Sequence, residues 1–179
     1  SNGTLDFVNR GIRIMENPTY TFSENITGGT IRTAYSFEAN RTDFNPSGGT
    51  IELYGTSNAS LGHFAGSNLY HVEIDKGAKG IDQGSGEIFI ADSREAVKDD
   101  GSKANTATAV TNLDLNGNML ISSGTIVAPA TVNVAGNWAN TVGDAGFTEG
   151  TGIVIFDGNQ NTDINNSETF YDLTENKTQ

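Results

Sequence analysis

A chain of 179 residues, 35 % hydrophobic and 18 % charged, is long enough for one compact domain or a short solenoid and too apolar to be disordered. Its formal net charge of −12, with 22 acidic residues against 10 scattered basic ones, argues against a nucleic-acid partner and against anionic membrane surfaces. The absence of cysteine excludes disulfides and thiolate chemistry, and no apolar run approaches the roughly 18 residues of a membrane-spanning helix. Twenty-two glycines against three prolines, among many Thr, Asn and Ser, form an all-β composition of short strands and turns that need positive φ.

In chain order, residues 5–8, 20–22, 50–54, 69–74, 87–91, 132–134 and 153–156 alternate apolar and polar side chains and are bounded by Gly, Asn, Asp or Ser, so each predicts a strand. No stretch carries a 3.6-residue stripe over three turns. A single helical turn is expected at 93–98, inside the charged stretch 92–104, which reads as a solvated loop projecting from a scaffold. The sequence opens on no basic-then-apolar export signal and reads as a mature chain or as a piece of a longer one.

Two stretches echo each other. Gly48-Gly49-Thr50-Ile51-Glu52-Leu53-Tyr54-Gly55 and then Leu69-Tyr70-His71-Val72-Glu73-Ile74 return about 100 residues later as Gly150-Thr151-Gly152-Ile153-Val154-Ile155-Phe156 and Phe170-Tyr171-Asp172-Leu173-Thr174-Glu175. The phrase Gly-Thr-Ile starts at Gly29, Gly49 and Gly124, and the 20 residues between the first two give a ruler. About twenty residues supply three short strands and three turns, one coil of a parallel β-solenoid. The expectation is one repeat-containing β domain over 1–179, with copy one at about 28–76, an insertion at about 77–104 and copy two at about 105–179. Its fold is expected to be all-β, a right-handed parallel β-solenoid or β-helix of about eight coils and roughly 35–40 Å, with a β-sandwich as the competing fold. The expected inward positions are Ile51, Leu53, Val72, Ile74, Ile88, Ile90, Leu113, Leu115, Leu120, Ile126, Val132, Val134, Ile153 and Ile155. Corner asparagines tolerate left-handed backbone, and their amides can stack from coil to coil.

The run Asn112-Leu-Asp-Leu-Asn-Gly-Asn-Met-Leu-Ile-Ser-Ser-Gly-Thr-Ile126, then Val132-Asn-Val-Ala-Gly-Asn-Trp138, Asp157-Gly158-Asn159 and Phe170-Tyr-Asp-Leu-Thr174, resembles the repeat region of large secreted surface proteins and adhesins of the Bacteroidota and related phyla. The resemblance covers most of 105–179 and, through the internal copy, much of 28–76. It implies surface display, adhesion or fibre building, and no catalytic set. Three departures stand out: Glu175 where the first copy has Ile74, no tryptophan phrase in the first copy, and the insertion 77–104.

The sharpest candidate site is a calcium loop formed by Asp157, Asn159, Asn161, Asp163 and Glu168, whose oxygen ligands imitate the spacing of a calcium-binding loop. Against it, Thr162 stands where such a loop needs glycine, and the first copy has no carboxylate there; a plain Asn/Asp-rich turn is the competing reading. Asp99-Asp100-Gly101 and Asp82-Gln83-Gly84 read as turns. His63 and His71 are the two histidines, and His71 reads as a surface residue. No nucleophile elbow, paired-histidine metal motif or phosphate-cradling loop occurs. Trp138, Tyr35, Tyr54, Tyr70 and Tyr171 are the pool of sugar-stacking platforms, although packing roles are expected for Trp138 and for the Tyr70/Tyr171 pair. Six Asn-x-Ser/Thr sequons are what so Asn- and Thr-rich a chain gives by chance.

The expectation from sequence is therefore a non-enzymatic, extracellular or cell-surface structural and adhesive module. Its expected partners are other copies of itself or neighbouring repeats joined end to end into filaments, and a glycan or host-surface ligand, with no nucleic acid and no membrane span. The competing class is a β-helix that binds or cleaves carbohydrate, since stacked coils bring residues about twenty apart together.

Overall fold

The computed structural model describes residues 3–8, 10–15, 25–55, 59–63, 67–76, 87–90 and 112–177, without the side chains of 40, 63 and 87–90. The strands are β1 (Thr4–Phe7), β2 (Ile12–Met15), β3 (Thr27–Thr33), β4 (Phe37–Asn40), β5 (Gly48–Tyr54), β6 (Ala59–His63), β7 (His71–Asp75), β8 (Glu87–Ile90), β9 (Asn112–Leu115), β10 (Met119–Ser123), β11 (Thr125–Val127), β12 (Thr131–Val134), β13 (Trp138–Asn140), β14 (Phe147–Thr148), β15 (Ile153–Phe156), β16 (Ile164–Asn165) and β17 (Asp172–Glu175).

They form three sheets. The first face runs β1-β3-β5-β7-β10-β13-β16, the second β14-β11-β8-β6-β4-β2, and the third β17-β15-β12-β9. All pairings between these strands are parallel, which makes the fold a parallel β-solenoid and excludes an antiparallel sandwich. The chain passes from third face to first to second and repeats, as β9-β10-β11 and then β12-β13-β14 do. Seven strands stack on the first face, six on the second and four on the third, fewer levels than the expected eight coils. The steps are unequal: Ile31 stacks on Ile51, but Leu5 pairs with Ile31 and Trp138 with Ile164, each a longer excursion.

The core is a set of columns along the axis. Leu5, Ile31, Ile51, Val72, Met119, Trp138 and Ile164 follow one another on the first face. On the third face, Leu113, Val132, Val154 and Leu173 form one column, and Leu115, Val134, Phe156 and Glu175 form its neighbour. Of the expected inward positions, Ile51, Leu53, Val72, Ile74, Leu113, Leu115, Ile126, Val132 and Val134 are buried. Leu120, Ile153 and Ile155 are not; each is half-exposed, and Met119, Ile121, Val154 and Phe156 face inward instead. Met-Leu-Ile and Ile-Val-Ile-Phe are apolar at successive positions, so alternation alone does not say which residue faces the core. The side chains of Ile88 and Ile90, and the turn at 93–98, lie outside the described residues.

The two echoing stretches do not occupy equivalent places. Residues 48–54 and 71–75 are first-face strands, whereas 153–156 and 172–175 are third-face strands. What repeats is a local device: Gly29, Gly49, Gly124 and Gly150 all have positive φ (85°, 90°, 81° and 57°), the first two inside the opening residues of β3 and β5 and the other two just before β11 and β15. The left-handed backbone costs glycine nothing and lets the chain turn a corner.

A second device sits at the corner between third and first faces. A Cβ at Gly136 would lie 2.2 Å from Asn118 Oδ1 and 2.8 Å from the Gly117 backbone, and one at Gly158 would lie 1.8 Å from the Ala135 carbonyl oxygen. Successive levels therefore touch backbone to backbone there. The asparagines that follow Gly117 and Gly136 tie the levels together: Asn118 N–H donates to His71 Nδ1 (2.8 Å), Asn137 N–H to Asn118 Oδ1 (2.8 Å), and Asp163 N–H of the next level to Asn137 Oδ1 (3.0 Å). The recurring Gly-Asn phrase is thus a hydrogen-bonded ladder along one edge of the solenoid.

The observed phase of β10 predicts a contrast between neighbours. Ile121→Ala, at a fully buried position, should cost about 2–5 kcal/mol. Leu120→Ala should cost under about 1 kcal/mol. Urea unfolding followed by circular dichroism measures both; equal costs would refute this phase.

Candidate functional site

The outer surface of the first face carries a stacked column that begins Asp6, Arg32, Glu52 and Glu73, placed by the residues that follow the inward Leu5, Ile31, Ile51 and Val72. Arg32 Nη2 lies 2.9 Å from Glu52 Oε1, and its Nε is 3.8 Å from Asp6. The guanidinium also sits 4.2 Å from the centroid of the Tyr54 ring, whose hydroxyl donates to Asp6 Oδ1 at 2.8 Å. Desolvation raises the carboxyl pKa values of both Glu52 and Glu73; Arg32 opposes the rise, and Asp75 adds to it. Asp75 in turn accepts from Ser123 Oγ at 2.7 Å. Three stacked levels thus hold two neighbouring carboxyl groups with an affinity for protons above the ordinary. The signal in the sequence is the step from Arg32 to Glu52 to Glu73, each about one coil on, and it becomes readable only once the register is known.

The expected calcium-loop residues are placed as follows. Asp157 is half-buried; burial raises its pKa, and the Lys177 ammonium opposes that rise. Asn159, Asn161 and Asp163 are exposed. Lys177 Nζ hydrogen-bonds Thr162 Oγ1 and lies 6.0 Å from the centroid of the Phe156 ring, so a cation of the chain itself sits at this loop. Glu168 turns elsewhere: its Oε2 accepts from Trp138 Nε1 at 3.0 Å and from Asn140 Nδ2 at 2.7 Å. Among the described residues no three His, Asp or Glu side chains gather closely enough to hold a metal ion. Residues 82–84 and 99–101 lie outside the described residues.

Glu168 serves the core. Trp138 is fully buried and packs edge-on against Phe147 (4.9 Å) and Phe170 (5.4 Å), so its indole N–H needs an acceptor inside the protein. This gives Trp138 a packing role and removes it from the sugar-stacking pool. Tyr70 is half-buried and edge-on to His71 at 4.6 Å, whereas Tyr171 is 65 % exposed, so the two tyrosines sit in different surroundings. His71 is half-buried, and Asn118 donates to it, so it belongs to the corner ladder more than to the surface. Burial lowers its pKa. The side chain of His63 lies outside the described residues.

Lys76 shows no signal in sequence patterning. It is fully buried, and its Nζ donates to the carbonyls of Ala34 (2.7 Å) and Tyr54 (2.8 Å), one from each of the two preceding levels. Burial pushes its pKa down to about 8 from 10.5. Loss of one proton still leaves the two N–H donors that these carbonyls need.

Among the described residues, the first and last levels carry exposed apolar side chains. At one end Leu5 is 55 % and Met15 61 % exposed; at the other Ile164 is 41 % and Leu173 46 % exposed. Among the described residues β1 and β2 each pair on one side only, as do β16 and β17. Beside β1 lies a hollow of about 360 Å³ lined by Gly3, Thr4, Leu5, Asn25, Ile26 and Thr27, among others. Among the described residues no helix is long and apolar enough to cross a membrane. Comparison of the chain with protein-family models, with curated proteins and with solved structures finds no match.

Lys76 gives a pH prediction with a definite sign. The unfolded chain keeps this proton to about pH 10.5, while the folded chain releases it near 8. Between those values the unfolded state binds more protons, so stability rises with pH. The unfolding free energy should increase by roughly 1–2 kcal/mol from pH 8 to 10 relative to Lys76→Met, in which that rise is absent. Urea titrations at several pH values measure the difference, and parallel curves for the two proteins would contradict it.

Proposed function

We propose that this chain is an extracellular structural and adhesive module of a bacterial surface protein. The observation that carries this reading is the parallel stack itself, in which inward columns such as Leu113, Val132, Val154 and Leu173 run along the axis and each strand is hydrogen-bonded to a neighbouring level. A stack of this kind transmits load along its axis through backbone hydrogen bonds and leaves its sides free to carry recognition. Neighbouring repeats or other copies meet the ends, and a glycan or another cell-surface ligand meets the sides. The surface location rests on the resemblance of the Leu-Asp-Leu-Asn-Gly-Asn and Gly-Asn-Trp phrases to secreted adhesin repeats, and the strongly acidic surface suits it.

A second reading is favoured by one observation. Glu52 and Glu73 are stacked carboxyl groups with raised pKa values beside Arg32 and Tyr54, which are the residue types that bind or cleave acidic and neutral polysaccharides. One experiment separates the two. Antibody raised against the chain should label intact cells of the producing organism, and the purified protein should release no reducing ends from a panel of polysaccharides. Label confined to lysed cells would contradict the surface reading. Release of reducing ends that is lost on Glu73→Gln would establish the second.

A further inference from the structure

One position recurs in every level of the first face, immediately before its inward column. Thr4, Thr30, Thr50, His71, Asn118, Asn137 and Asp163 occupy it in turn, as the register of the seven strands places them. Threonine fills it on one side of His71 and asparagine on the other. Of the three side chains in this column that accept a backbone N–H from the next level, Asn118 and Asn137 do so through amide oxygens that keep their lone pairs at any pH, and His71 does so through a nitrogen that a proton can occupy. The His71 rung also closes the longest loop, 47 residues against 19 and 26 for the next two.

We propose that His71 is an acid-sensitive latch, whose protonation breaks the rung to Asn118 and loosens the junction between the levels of β7 and β10. A backbone N–H can only donate, so Asn118 fixes Nδ1 as the bare nitrogen and Nε2 as the one that carries hydrogen in the neutral ring. In the imidazolium both nitrogens carry hydrogen, and two donors would then face each other at 2.8 Å. Gly117 and Tyr70 confine the ring: a Cβ at Gly117 would lie 2.5 Å from its Nδ1 and 2.8 Å from its Cε1, and Tyr70 stands edge-on at 4.6 Å. Asn118 is held at this junction a second time, its carbonyl accepting from Val72 N–H at 3.1 Å, and its Oδ1 carries the next rung. A displaced Asn118 is therefore felt across the junction and one level beyond it. Thr50 of β5, and Gly117 and Asn118 ahead of β10, face His71 without a charge. The charged groups of the flanking strands, Glu52 on β5 and Glu73 and Asp75 on β7, lie two or more positions further along; β10 has none, and Asp114 precedes it on the third face. Burial thus lowers the affinity of the ring for a proton below that of the free side chain, which titrates near 6.5. The opened junction takes up the proton first, so the latch holds fully above 6.5 and weakens as the pH falls from there through the lowered value.

The latch is a property of the stack and is tested without reference to the surface reading. Nitrogen NMR of the imidazole rings at about pH 7.5 should show His71 with its hydrogen on Nε2 and none on Nδ1. Amide hydrogen exchange, corrected for the intrinsic rate at each pH, should show the protection of Asn118 N–H falling by up to about tenfold per pH unit below 6.5. His71→Asn puts at this level the same amide that makes the next two rungs, and in it the protection of Asn118 should hold constant from about pH 7.5 to about pH 5. Glu52 and Glu73 titrate in both proteins, so their acid response cancels in the comparison. Hydrogen on Nδ1 at neutral pH, protection of Asn118 that does not change on acidification, or the same acid loss in His71→Asn would overturn the proposal. The first two are read on the unaltered protein and decide the matter even where the variant does not fold.

Discussion

Everything in this molecule depends on the backbone hydrogen bond from one level to the next. A coil of about twenty residues buries little by itself; its inward side chains are covered only because the coil above and the coil below lie one strand spacing away. Glycine makes that spacing attainable at the corner where Gly117, Gly136 and Gly158 sit, since a Cβ at any of them would meet backbone at 2.8 Å or less. Asparagine then converts the close approach into hydrogen bonds, with Asn118 and Asn137 each accepting from the next level. His71 takes the same role one level earlier through Nδ1, and so the ladder is not restricted to amides.

The polar groups inside the stack follow the same logic. Thr33 Oγ1, fully buried, donates to the Arg10 carbonyl at 2.7 Å, and Lys76 gathers two carbonyls from two earlier levels. Glu168 satisfies the indole N–H of Trp138 and the amide of Asn140. Each is a long-range tie between coils. A buried donor or acceptor left without its partner costs about 1–3 kcal/mol, so these ties set which coil stacks on which as well as how firmly.

Much of the architecture is legible in the amino acids. Gly-Thr-Ile at a spacing of about twenty, Gly-Asn at corners and short alternating strands lead to a parallel solenoid, and most of the inward positions follow from alternation. Legibility ends where physics is non-local. In Ile153-Val154-Ile155-Phe156 all four side chains are apolar, and only the pairing with Thr131–Val134 decides that Val154 and Phe156 enter the core. The echo between 48–54 and 150–156 is a likeness of turn chemistry and not of position, because the same glycine-led corner serves any face. Spacing reads Glu168 as a metal ligand and does not reveal that it accepts from the Trp138 indole and the Asn140 amide. Its partner, Trp138, is 30 residues away, and the contact depends on the register of coils that a linear motif does not encode. The column Asp6, Arg32, Glu52, Glu73 was hidden for the same reason.

The central claim is that stability is distributed along the axis and supplied by neighbours. Residue-resolved amide hydrogen exchange tests it most directly. The account predicts strongest protection in β5, β7 and β10, which have levels on both sides, falling steadily toward β1 at one end and β17 at the other. Uniform protection from β1 to β17, or protection strongest at the ends, would contradict it.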